Sequence, residues 1–245
     1  MNVRRNDREM KMNSRTPWAL AAILALSSCA TQQVRLSSLG TPCVNAEAQL
    51  SQSWKGLNEA VQSGACAQNN GIECQALRAK IERLSVDCPS NPDVVMANAL
   101  LAFQDRNFTR AQQLLDDLFS KGVNYPEAVA LRARVALSEG NSRFALRFLE
   151  EKIRENGSDS GIRETYASAL FVANRWDEAQ TQLNIAARLG APLWRVAFGS
   201  GLIEEAKGNY EVAKLKYQEA LKGKPGWPQA ESRLRALVAT GKTSQ

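Results

Sequence analysis

The sequence predicts an all-α protein: a solenoid of about five antiparallel helix hairpins, closed by a C-terminal capping helix. Three observations carry that prediction. Small residues recur every 34 positions, at Ala111, Ala145, Ala179 and Ala213. Each has a second small residue twelve positions earlier (Ala99, Ala133, Ala167, Gly201) and a large one four positions later (Leu115, Leu149, Leu183, Tyr217). Between the small residues lies a turn signal: Arg106-Asn107, Gly140-Asn141, Asn174-Arg175 and Gly208-Asn209. Two helices that cross closely need small residues at the crossing and a large one a turn later to seal it.

The stretch Lys207 to Leu221 shows the pattern most plainly, with Tyr210, Ala213, Tyr217 and Ala220 at helical spacing after a Gly-Asn turn. A 34-residue period with this pattern resembles the tetratricopeptide repeat, which implies a right-handed superhelical stack. On that resemblance repeat two runs from Pro92 to Tyr125, repeat three from Pro126 to Asp159, repeat four from Ser160 to Leu193 and repeat five from Trp194 to Trp227. The family's first-helix tryptophan is replaced by Val95, Val129, Arg163 and Ala197. Glycine and asparagine tolerate left-handed backbone, so the turn at Arg106 is predicted to differ from the others. Residues 228–240 read as a capping helix with Leu234, Leu237 and Val238 on one side and Glu231, Arg233 and Arg235 on the other. Lys242 to Gln245 read as a frayed tail.

The N-terminus reads as an export signal. Arg4, Arg5, Arg8, Lys11 and Arg15 precede nine apolar residues, Trp18 to Leu26, too few to span a bilayer. Leu26-Ser27-Ser28-Cys29 follows and resembles the bacterial lipobox, which implies cleavage after residue 28 and lipidation of Cys29. By that resemblance the cysteine carries three acyl chains, palmitate among them, enough for permanent anchoring. Ala30 stands where an aspartate would signal inner-membrane retention, so the expected location is the periplasmic face of the outer membrane. Residues 1–28 hold five basic and two acidic residues, and without them the net charge falls from +6 to +3. No run of lysine or arginine interleaved with aromatics points to nucleic acid.

Residues 29–42 read as a lipid-anchored flexible tether, reaching about 20 Å by random-coil scaling. An irregular first repeat follows over residues 43–91. Leu50, Trp54, Leu57 and Val61 form one helical stripe; Cys74, Leu77, Ile81 and Leu84 form another, stopped by Pro89 and Pro92. Trp54, Leu57 and Asn58 resemble the start of a tetratricopeptide first helix, with Asn58 at the position that prefers glycine. Besides Cys29, all four cysteines (Cys43, Cys66, Cys74, Cys88) fall in this hairpin, and an exported chain meets an oxidising compartment. Residues 45–63 as a helix are about 28 Å long, whereas a disulfide needs Cα atoms within about 7 Å. Only nested pairing satisfies both: Cys66–Cys74 across the tip and Cys43–Cys88 across the open end. A four-thiolate metal site has the wrong spacing.

Chemistry is constrained by a chain without histidine, which removes Ser-His-Asp and Cys-His catalysis and imidazole metal ligation. Glu150-Glu151 and Glu204-Glu205 are adjacent on helices, about 100° apart, and read as solvated surface rather than acid/base dyads. No catalytic residue, metal or cofactor is expected. The family resemblance implies a concave groove lined by first helices, here Met96, Leu100, Phe103, Arg134, Leu137, Glu164, Phe171, Arg195, Phe198, Leu202 and Glu205. Leu100, Leu137 and Leu202 read equally well as core, and Phe103, Phe171 and Phe198 are the stronger candidates. Such a surface suits an amphipathic helix or extended peptide of a protein partner. A lipobox followed by about five repeats resembles the assembly lipoproteins of tight-adherence (Flp) and type IV pili, implying a scaffold in pilus or secretion-system assembly. An adaptor for peptidoglycan enzymes or β-barrel assembly is the alternative, and a histidine-free enzyme comes last.

Overall fold

The computed structural model describes residues 43, 45–62, 71–155 and 157–239, and among these every regular element is an α-helix. The signal segment, Cys29, the tether, Cys66 and the tail from residue 240 lie outside the described residues. The chain forms two compact units, Met1–Val123 and Asn124–Gln245. The first holds α1 (Ala46–Gln62), α2 (Ile72–Asp87), α3 (Pro92–Gln104) and α4 (Phe108–Ser120). The second holds α5 (Pro126–Ser138), α6 (Ser142–Glu155), α7 (Ser160–Val172), α8 (Trp176–Arg188), α9 (Leu193–Ala206), α10 (Tyr210–Gly223) and α11 (Pro228–Ala239).

Helix starts follow from local chemistry. The Asn91 side chain accepts from the amides of Asp93 and Val94, and Asp159 accepts from Ile162, each satisfying donors that have no partner inside the helix. Pro92 and Pro126 stand at first helical positions, where a missing N–H costs nothing. The mid-repeat turns are alike in all four regular repeats. Arg106, Gly140, Asn174 and Gly208 take positive φ of 60, 78, 60 and 84°. In each, the next residue's amide donates five residues back: Asn107 to Ala102, Asn141 to Ala136, Arg175 to Leu170 and Asn209 to Glu204, at 2.8–2.9 Å. Arg106 therefore does not make a different turn. Its repeat pulls an arginine into left-handed geometry, and the closing bonds together with the Asn107 cap on Arg110 offset a cost of about 1–2 kcal/mol.

The crossings are built as the period requires. Ala99, Ala133 and Ala167 are buried against the hairpin partners that carry Ala111/Leu115, Ala145/Leu149 and Ala179/Leu183, all buried as well. The last hairpin changes both sizes together. A Cβ on Gly201 would lie 2.6 Å from Tyr217 Cε1, so glycine is what lets the ring seal this crossing.

The first hairpin departs from that register. Leu50, Trp54 and Leu57 face Cys74, Ile81 and Leu84 in its core. A close approach is made by Gly56, whose added Cβ would stand 3.3 Å from Leu77 Cδ2. Cys43 and Cys88 are bonded across the open end, with Cα atoms 5.3 Å apart. Cys74 is also disulfide-bonded, and Cys66, its expected partner, lies outside the described residues. Arg78 donates to Asp105 and Gln104, tying α2 to the end of α3.

At the C-terminus Leu237 is buried and Leu234 half-buried against α10, whereas Val238 is 57% exposed. Neighbouring helical residues diverge by about 100°, and Val238 falls outside the stripe that Leu237 buries.

Candidate functional site

In the first unit Met96, Leu100 and Phe103 share one face of α3, four and three residues apart. Leu100 is buried, which makes it core; Met96 and Phe103 are half-buried. The Phe103 ring lies 5.7 Å from that of Phe108, where α4 begins. Between α1 and α2 the unit also carries a polar cleft of about 660 Å³, lined by Lys55, Lys80, Arg83, Glu59 and Asp87 among others. The hydrophobic stripes that predicted these helices say nothing about it.

In the second unit the first helices α5, α7 and α9 follow one another in contact. Arg134 is exposed, and Leu137 and Phe171 are half-buried. Glu164 on α7 and Arg195 on α9 form a two-pronged ion pair, Arg195 Nη2 to Glu164 Oε2 at 2.7 Å and Nε to Oε1 at 3.3 Å. These residues are brought together. Their charges are spent largely on each other.

Three further residues are absorbed by packing. Phe198 stacks 5.6 Å from Tyr217 and 4.6 Å from Trp227, and Leu202 joins the cluster of Ala213, Tyr217 and Leu237. Glu205 accepts from the Tyr217 hydroxyl at 2.5 Å and from Arg233 of α11 at 3.4 Å. Phe198 is therefore not a freely presented groove aromatic. The capping helix and Trp227 compete for the same face, and repeat spacing alone does not register them. The paired glutamates need correcting too. Only Glu151 is solvated surface; Glu150 accepts from the Tyr166 hydroxyl at 2.8 Å, and Glu204 from Asn209 at 2.7 Å.

These bonds shape the local electrostatics. Burial, then the bond to Glu150, pushes the Tyr166 phenol up to about 12. Burial, then the bond to Glu205, raises Tyr217 further. Both hydroxyls are thus donors at neutral pH, holding carboxylates rather than titrating. Among the described residues no group of three or more cysteine, aspartate or glutamate side chains is placed to share a metal ion. Nor is any described helix long and apolar enough to cross a membrane.

What sequence reasoning missed is an aromatic cluster at the start of α9. The Trp194 and Trp227 rings meet edge-on at 4.7 Å, and Lys224 Nζ lies 4.3 Å over Trp194 and 5.5 Å from Trp227. A Cβ on Gly223 would stand 2.8 Å from Trp194 Cβ, so glycine lets the end of α10 close on this tryptophan. The signal was available: both tryptophans mark the limits of repeat five, where the repeat pattern gives them no packing role.

The sequence matches no family model and no curated protein. Solved structures do match in fold. A tetratricopeptide protein of Thermus thermophilus superposes with a TM-score of 0.63 at 15% identity, covering 76% of this chain and 99% of that one. One from Parabacteroides merdae gives 0.62 at 16% identity, with 91% of each chain covered. Pseudomonas aeruginosa PilF gives 0.55 at 14% identity, covering 80% of this chain and 82% of that chain. Together with the 34-residue register in the helices, they establish the tetratricopeptide-repeat fold. At these identities the likeness concerns fold alone.

Proposed function

We propose that this chain is a lipid-anchored periplasmic scaffold that holds a protein partner in pilus or secretion-system assembly. The observation that carries the reading is the tetratricopeptide fold behind a lipobox: a helical stack built to present first-helix faces, preceded by Cys29 after Leu-Ser-Ser. The fold supports protein or peptide binding; the anchor and the outer-membrane location rest on the signal sequence. A scaffold, not an enzyme, is what the side chains favour, because the half-buried carboxylates are engaged by tyrosines, arginine and asparagine rather than poised in pairs. The partner-facing residues on this reading are Met96 and Phe103 in the first unit and Arg134, Leu137 and Phe171 in the second.

Two experiments test it. Membrane fractionation of Cys29→Ala is expected to move the protein into the soluble fraction; retention in the pellet would defeat the anchor. Crosslinking in intact cells is expected to lose its partner bands with Phe103→Ala/Phe171→Ala. An unchanged set would rule out the first-helix faces as the binding surface.

A further inference from the structure

Ser53 carries a buried hydroxyl that the fold leaves unused. It lies on α1, is 7% exposed, and among the described residues its side chain makes no hydrogen bond. A helical serine or threonine can return its hydroxyl to the carbonyl four residues back. Thr165, Ser168 and Thr181 do so, to Gly161, Glu164 and Asp177. Asn98 and Ser200, as deeply buried as Ser53, also hold partners: Asn98 donates to Val94 and Ser200 accepts from Gln180. Leaving a buried hydroxyl unpaired is costly, so an orphan calls for a partner that the chain itself does not supply.

That hydroxyl lines the polar cleft of about 660 Å³ between α1 and α2. Residues three and four apart share a helix face, so Ser53, Gly56 and Glu59 reach the same cleft as Lys80, Arg83 and Asp87. Gly56 has no side chain to fill it, and the Cys43–Cys88 bond fixes its walls at the open end. The cations here are largely unspent. Lys80 and Arg83 are exposed, and among the described residues neither side chain has an ionic or hydrogen-bond partner. Arg78, on the same helix, is by contrast bonded to Gln104 and Asp105. Lys55 and Glu59 stand 3.9 Å apart and offset each other. Asp87 is the remaining carboxylate among the described lining residues, one turn beyond Arg83, so the cleft keeps a positive surplus.

We infer that the α1–α2 cleft is a binding site for a phosphate group, held by Ser53, Lys80 and Arg83. A tetrahedral oxyanion offers three or more acceptor oxygens in different directions. That matches a hydroxyl from one helix with an ammonium and a guanidinium from the other, whereas a planar carboxylate is satisfied by the arginine fork alone. Ser53 donates to one oxygen, Lys80 supplies a point charge and Arg83 a pair of parallel donors. Asp87 repels a second negative group, so the phosphate lies toward Lys80 and the uncharged or cationic remainder of the ligand toward Asp87. A phosphate free in solution and one in a lipid headgroup present the same chemistry to this cleft. The site stands apart from the scaffold reading and does not depend on it.

The test uses the mature chain, residues 29–245, purified without acyl chains. Inorganic phosphate is titrated in by calorimetry, with sodium chloride at equal ionic strength as the reference. Phosphate is expected to bind where chloride does not. Lys80→Gln/Arg83→Gln is expected to weaken it about tenfold, and Asp87→Asn to tighten it about twofold. Ser53→Ala separates a ligand contact from a structural one. It is expected to weaken phosphate about fivefold while the urea midpoint stays level or rises, because the lost hydroxyl had no partner to lose. Co-sedimentation with phosphatidylglycerol vesicles then identifies the source. Sedimentation that Lys80→Gln/Arg83→Gln abolishes assigns the phosphate to a lipid headgroup; sedimentation that is absent, or equal for both proteins, assigns it to a soluble phosphate. No phosphate binding above chloride, or binding unmoved by either Lys80→Gln/Arg83→Gln or Ser53→Ala, overturns the site.

Discussion

The hairpins α1–α2 and α9–α10 each place a glycine at the helix crossing, and they do so with opposite tolerance. Gly56 meets only the methyl ends of Leu77, at 3.3 Å, and its hairpin is held at the open end by the Cys43–Cys88 bond. Gly201 meets the rigid ring of Tyr217 at 2.6 Å, and the fit itself closes the hairpin. A hairpin out of the repeat register is secured covalently, whereas one inside it is secured by side-chain size. The same residue type is optional in one place and required in the other.

Tyr217→Ala should bear on this contrast most strongly. It empties a fully buried ring site and leaves Glu205 without its phenolic donor, for an expected loss of about 3–5 kcal/mol in urea unfolding. Cys43→Ser/Cys88→Ser opens a loop of sequence separation 45 and should lose about 3–4 kcal/mol. A smaller loss would mean that packing alone holds α1 against α2. Gly201→Ala should destabilise by about 1–3 kcal/mol through overpacking. Gly201→Ala/Tyr217→Leu, which installs the pair found in the other three repeats, should be more stable than the two single effects added together. Absence of that coupling would break the size-matching argument.

Gly56→Ala is the sharpest control, because its sign should be reversed. The Leu77 methyls can yield, and alanine favours the helix by up to about 1 kcal/mol, so the variant should be neutral or stabilised. The smallest effect concerns pH. Tyr166 ionises near 10 when unfolded and at about 12 when folded, so its contribution is complete below pH 10 and lost as pH rises through 12. Tyr166→Phe should flatten the fall in stability across that window, measured by denaturant midpoints. An unchanged slope would mean that burial of the Tyr166 hydroxyl and its bond to Glu150 do not shift its ionisation on folding.

Much of the fold could be read directly from the residues. The twelve small and large positions of the 34-residue register are the crossing residues, and the four turn positions are where the backbone goes left-handed. Arg106 was misjudged because intrinsic preference is only a weak prior; the closing hydrogen bond and the following helix decide the turn. Gly56 lies outside the 34-residue register, so periodicity carries no signal for its close approach to Leu77. At the candidate site, Glu164 and Arg195 were identified as residues but not as partners, since 31 positions of sequence separation carry no pairing signal.

What the sequence determined by itself is everything that depends on periodicity and local backbone chemistry: helical hairpins, their number, their turns and the small residues at each crossing. These follow from 3.6 residues per turn and from which residues tolerate positive φ. Only the tertiary structure decided which face residues remain available. Phe198, Leu202 and Glu205 occupy groove positions by register, yet Trp227, Leu237 and Arg233 take up that face. Trp194 and Leu193, outside the groove pattern, stay at the surface. Periodicity assigns a residue to a face, but whether another element covers that face depends on how the chain returns to it.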